Sequence, residues 1–271
     1  MRLVPRYVFA VGLAAFLTSA ANAQVVLIGG STNNGNFDQT YPQEIVPDFF
    51  LPKPSVWINE ASRAITGPYE DELSSEPWAG PAPTPVTADG SGDPGPDGCS
   101  GLDCAVFFKA FSGIVAEGAT TAHVYQDHPA IPGVTYVLTG WAGAEANFLV
   151  TGAEIALEFL DGGSSVIPAS GQVIDLLATL YVNNGEPFNY REYTAVAVAP
   201  PGAVSVRARV SMIGGTPNPA GGGQAFVVDD FTLTVAVAGA SSVPVPTFDP
   251  RALAVLALLV VAAGTWRLRR R

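Results

Sequence analysis

Ile131-Pro132-Gly133-Val134-Thr135-Tyr136-Val137-Leu138-Thr139 is the stretch that decides how the chain is read. Pro132 presets φ and Gly133 admits the left-handed region, so the two together mark a turn. Thr135 to Thr139 then alternates with period two and is rich in β-branched residues, the pattern of a half-buried strand. The same alternation recurs outward in Glu154-Ile155-Ala156-Leu157-Glu158-Phe159-Leu160, Ser205-Val206-Arg207-Ala208-Arg209-Val210 and Ala225 to Leu233. Turn signals separate these runs: Asp161-Gly162-Gly163, Asn183-Asn184-Gly185, Pro200-Pro201-Gly202 and Gly221-Gly222-Gly223. Strands without long intervening helices pack as an antiparallel sandwich or jelly roll rather than a parallel sheet. The expectation is an all-β antiparallel β-sandwich over residues 24–237.

Composition agrees. Hydrophobic residues make up 48% and charged ones 14%, with 29 Gly and 23 Pro. That is too apolar for a disordered chain and too rich in turn formers for a helical bundle. Thr66 to Asp103 is crowded with Pro, Gly, Asp and Glu and reads as a long surface insertion. Between Gln24 and Ser242, six basic residues stand against 23 acidic ones, a balance of −17. Such a surface repels phosphate backbones, which excludes nucleic acid as a partner, but attracts divalent cations and tolerates neutral sugars.

The ends read differently. Arg2 and Arg6 precede an apolar run from Val8 to Leu17, and Ala20-Ala21-Asn22-Ala23 supplies a small-x-small cleavage pattern. Residues 1–23 therefore read as a signal helix, with the mature chain starting at Gln24. At the other end, Ala252 to Trp266 is an uncharged run closed by Arg267-Leu268-Arg269-Arg270-Arg271. A helix of that length reaches roughly 22 Å against a hydrocarbon core of about 30 Å. Snorkelling of Arg251 and Arg267 closes the gap. Residues 251–271 read as a transmembrane helix with an Arg-rich cytoplasmic tail, joined to the sandwich by a linker over 238–250. The chain is expected to be exported to the cell envelope, surface or extracellular matrix, with transient or permanent anchoring at the inner membrane.

Val243-Pro244-Val245-Pro246-Thr247-Phe248, the apolar helix and the Arg cluster together resemble the tripartite sorting signals called PEP-CTERM and IPTL-CTERM. The resemblance implies processing by an exosortase-like membrane protease. The Pro motif has no Glu, and Phe248 stands where Leu is usual; a plain C-terminal anchor is the alternative. The only cysteines, Cys99 and Cys104, are read as a disulfide closing a small loop. A redox pair would have C-x-x-C spacing instead.

Several segments, taken in order, resemble the galactose-binding-like jelly roll of carbohydrate-binding modules in the CBM4/9 (CenC-type) group. Asn34-Gly35-Asn36-Phe37-Asp38 is similar to the group's opening Asn-Gly-x-Phe-Glu. Val124-Tyr125-Gln126-Asp127 and Ile131 to Thr139 are similar to its central hairpin. Val227-Val228-Asp229-Asp230-Phe231-Thr232-Leu233 is similar to its Val-Asp-Asp finish. The resemblance implies a structural calcium held in part by Asp38 and Asp229, since hard oxygen ligands suit that ion. The alternative is that Asp38 caps a turn and backbone donors satisfy Asp229. A second acidic group, Asp89, Asp93 and Asp97 among glycines, reads as solvated loop.

Catalytic patterns are absent. His123 and His128 lie outside any zinc motif, and no G-x-S-x-G elbow, P-loop or Rossmann fingerprint occurs. Sugar binding needs aromatic faces and a few polar groups that fix hydroxyls. Tyr69 and Trp78, in the polar insertion, and Tyr190 and Tyr193, flanking Arg191 and Glu192, are the residues expected to be exposed for that purpose. Trp141 is expected in the core, and Trp57 is equally a core residue or a sugar contact. The sequence thus indicates a non-catalytic surface or matrix protein contacting glycan or exopolysaccharide. The alternatives are a structural or adhesive matrix protein without sugar binding, and a small glycan-active hydrolase.

Overall fold

A computed structural model of the chain describes residues 24–63, 75–78, 103–109, 118–180, 190–221 and 223–236. The expected signal segment, Tyr69, Cys99, the sorting motif Val243 to Thr247 and the terminal helix lie outside the described residues. Thirteen strands run in order through them: β1 (Val25–Ile28), β2 (Thr40–Val46), β3 (Phe49–Pro54), β4 (Ile58–Arg63) and β5 (Ser75–Trp78) come first. β6 (Ala105–Lys109), β7 (Thr120–Pro129), β8 (Thr135–Ala144) and β9 (Gly152–Leu160) follow. β10 (Gln172–Asp175), β11 (Arg191–Val198), β12 (Ser205–Gly215) and β13 (Ala225–Ala236) complete the set.

The strands form two main antiparallel sheets. One has the order β11-β8-β13-β6-β5, with β1 also on β13; the other has the order β10-β9-β12-β7-β4. β2 and β3 make a separate hairpin. The period-two alternation sends one set of side chains between the sheets: Val124, Leu138, Ile155, Leu157, Phe159, Val206, Val210, Phe226 and Leu233 are all fully buried. This is the two-sheet antiparallel sandwich that the alternation implies. The stretch expected to be wholly loop, 66–103, contributes β5, which pairs with β6. Ser75-Glu76-Pro77-Trp78 carries a proline that hides it from strand patterning, and its place at the sheet edge tolerates the missing N–H.

One loop organises an end of the sandwich. Asn34, fully buried, donates from Nδ2 to the carbonyls of Gln39 at 2.8 Å and Ser55 at 2.9 Å. Its own carbonyl accepts the indole N–H of Trp57 at 2.8 Å. Phe37 packs on Trp57 with ring centroids 4.8 Å apart, and Phe231 closes an edge-on contact with both rings. The Phe231 N–H donates to the Gly35 carbonyl at 2.8 Å, and a Cβ on Gly35 would stand 2.4 Å from the Phe231 carbonyl oxygen. Only glycine admits that approach. Each member of Asn34-Gly35-Asn36-Phe37 so far named has a folding task.

Candidate functional site

The loop brings Asp38 to the start of β6. Asp38 Oδ1 accepts the Cys104 N–H at 2.9 Å, and Oδ2 accepts from the Asn36 amide. Nearby, β13 is bulged between Asp229 and Thr232, and Asp230 takes φ of 49°, a left-handed conformation uncommon for a residue with a side chain. Asp229 is buried, and its Oδ1 accepts the Asp230 N–H at 2.7 Å. Burial, together with Asp103, pushes the Asp38 carboxyl above its usual range. Burial and the charges of Asp103 and Asp38 do the same to Asp230. The described carboxylates of this corner offer oxygen donors, and the buried Asn36 Oδ1 has no hydrogen-bond partner. Those donors fit calcium in kind. Among the described residues, no group of three acidic, His or Cys side chains converges as a metal site. Cys104 is buried and disulfide-bonded, and the sequence has one other cysteine, Cys99.

Tyr190 and Tyr193, expected at the surface, are not exposed together there. Tyr190 is only 6% exposed, in a small cluster with Ala105, Ala225 and Val227. Charged Arg191 and Glu192 suggested exposure, but they open β11, while Tyr190 precedes the strand and folds onto the outer side of the six-stranded sheet. Burial and the neighbouring Asp229, Asp230 and Asp103 hold its hydroxyl pKa well above the ordinary value. Tyr193 is half-buried, packs against the main core and shares a 2.9 Å hydrogen bond with Thr179 Oγ1. The register sets Trp78 opposite Ala105. Trp57 is in the core, whereas Trp141, expected there, is half-buried against the Tyr190 cluster outside it.

The exposed side of the five-stranded sheet carries a polar array that motif reading did not reveal. Pairing across β4, β7, β12, β9 and β10 sets Glu60, His123, Ser211, Glu154 and Asp175 in one transverse row. The next row runs Ile58, Tyr125, Arg209, Ala156, Val173, and the third joins Asp127, Arg207 and Glu158. Arg207 forks onto Asp127 at 2.6 and 2.8 Å and lies over the Tyr125 ring, 3.9 Å from its centroid. Arg209 donates twice to Glu158, at 2.7 and 3.1 Å, and once to Glu154 at 3.1 Å. Tyr125 donates its hydroxyl to Glu60 at 2.7 Å, and burial with that carboxylate pushes its pKa to about 12. Arg209 also donates to Ser211 Oγ, which shares a hydrogen bond with His123 Nδ1 at 2.7 Å. Burial first, then the Arg209 charge, lowers the His123 pKa.

A hollow of about 100 Å³ lies elsewhere, lined by Phe148, Leu149, Val150, Leu177, Leu180 and Glu145 among others. Among its described lining residues the carboxylate is Glu145, which accepts the Ala225 N–H at 2.7 Å and anchors the start of β13. No acid–base pair converges in it.

No protein-family model matches the chain, and no curated protein matches it. Among solved structures, it is similar to the CBM22-1 xylan-binding domain from Paenibacillus barcinonensis Xyn10C, at 11% identity and a TM-score of 0.39, over 81% of this chain and 100% of that one. A CBM4 structure matches at 14% identity and a TM-score of 0.35, over 75% of this chain and 98% of that one. The enzymatically active domain of bacteriophage CBA120 tailspike protein 4 matches at 14% identity and a TM-score of 0.44; the match covers 78% of this chain but only 22% of that one. Likenesses this distant carry no functional argument. The sandwich stands on its own sheet order and register.

Proposed function

We propose that this is an exported, non-catalytic protein whose sandwich contacts glycan or exopolysaccharide through the exposed side of the five-stranded sheet. The observation that carries the reading is the array around Arg207 and Arg209. Folding requires the inward side chains of β7, β9 and β12 to be apolar, but it does not require their outward side chains to form a hydrogen-bonded network across four strands. Polar groups held in fixed positions are what orient sugar hydroxyls. Calcium bound by Asp38 and Asp229 would brace the corner where the first loop meets β13. Secretion by the 1–23 segment, retention by 251–271 and processing of Val243 to Thr247 by an exosortase-like protease complete the proposal.

The test is a glycan array probed with the full chain in detergent. Saturable binding is expected, weakened by Arg207→Ala while the far-UV spectrum stays unchanged. Absence of saturable binding to any polysaccharide would contradict the reading. It would favour a structural or adhesive matrix role without sugar binding, for which one observation already speaks: the Tyr125 ring is capped by Arg207 rather than free for stacking.

A further inference from the structure

The array has a charge bias that narrows its ligand. Five carboxylates (Glu60, Asp127, Glu154, Glu158 and Asp175) share the face with two guanidinium groups. Both cations already have carboxylate partners, Arg207 with Asp127 and Arg209 with Glu154 and Glu158. Burial and the Arg209 charge lower the His123 pKa, which works against an added positive charge there. Among the described residues of this face, a uronate polymer would therefore meet surplus negative charge and no free guanidinium. The surplus is also spread out: Glu60 on β4 and Asp175 on β10 are exposed at opposite edges of the sheet, with Glu154 in the same row. Four interstrand steps of about 4.8 Å give that row a span of roughly 19 Å, the scale of an extended chain rather than a single sugar. The balance of −17 between Gln24 and Ser242 adds long-range attraction for a polycation.

We infer that the glycan met by this face bears protonated amines, as in a polyglucosamine, with Glu60 and Asp175 as the outer ammonium contacts. This rests on the glycan-contact reading and goes one step further by naming the ligand's charge. The experiment measures binding of the full chain in detergent to three immobilised polymers at pH 6: polyglucosamine, its fully N-acetylated form, and a polyuronate. Tightest binding to the amine polymer and none to the uronate is expected. Glu60→Gln combined with Asp175→Asn should weaken binding about fivefold, as expected for two exposed ion pairs of roughly 0.5 kcal/mol each. Both replacements keep the acceptor oxygens that Tyr125 and Leu177 use. Glu44→Gln with Glu192→Gln makes the same charge change away from this face and should leave binding intact. Undiminished binding by the first pair, or equal loss by the second, overturns the inference. If acetylated and amine polymers bind alike and Arg207→Ala weakens both, glycan contact survives and amine selection falls. If no polymer binds, both fall.

Discussion

His123 shows what the array does to a single residue. Its ring faces Glu60, Glu154, Glu158 and Arg209, and its Nδ1 shares a hydrogen bond with Ser211 Oγ inside a half-buried network. Its folded pKa is lowered from 6.5, so its contribution to stability is present above that value and is lost as pH falls through the folded pKa. NMR titration of the ring should give a midpoint below 6.5, and a midpoint above it would contradict the geometry. Arg209 is the other sensitive position, with a side chain only 16% exposed and two carboxylates depending on it. Arg209→Met should cost about 2–4 kcal/mol in urea unfolding, because it strands Glu154 and Glu158. A loss under about 1 kcal/mol would mean the pairs behave as ordinary surface bridges. The alternation Val206-Arg207-Ala208-Arg209-Val210 already told which face these arginines occupy. It did not tell their partners, which lie 51 to 80 residues away and depend on strand register.

At the scale of elements, the contact between the first loop and β13 is the critical joint. Gly35→Ala would force a Cβ against the Phe231 carbonyl, and it should destabilise the chain by about 1–3 kcal/mol. Gly162→Ala, where an added Cβ meets nothing within 4 Å, is the matched control and should be near neutral in the same melting experiment. If both variants melt alike, the loop is not pressed against the bulge as described. The opening motif was legible as a pattern, but its physical reasons were not: Asn34 ties three segments, Gly35 admits β13, and Phe37 fills the core. Tyr190 is buried although charged residues follow it, because sequence neighbours say little about exposure beside a strand's start. β5 is not legible in the sequence because Pro77 interrupts the pattern of a strand that only an edge can accept.

For the whole molecule, two sheets give one face to the core and leave another to carry charge. The acidic corner bears on stability. The carboxyl pKa values of Asp38 and Asp230 are raised, so their contribution is present below the ordinary 3.8 and lost as pH rises through the folded values. With chelator, that part of the stability should therefore fall as pH rises toward neutrality. Added calcium should restore it, and Asp38→Asn should abolish the calcium-dependent rise in Tm. Identical melting with calcium and with chelator would remove the ion from the account. The glycan face is tested most directly by amide NMR shifts during titration of the full chain with polyglucosamine. The account predicts that the largest changes map to Ile58–Ser62, to His123, Tyr125 and Asp127, and to Arg207, Arg209 and Asp175. Changes centred instead on β8 and β11 of the other sheet, or none at saturating polymer, would contradict it.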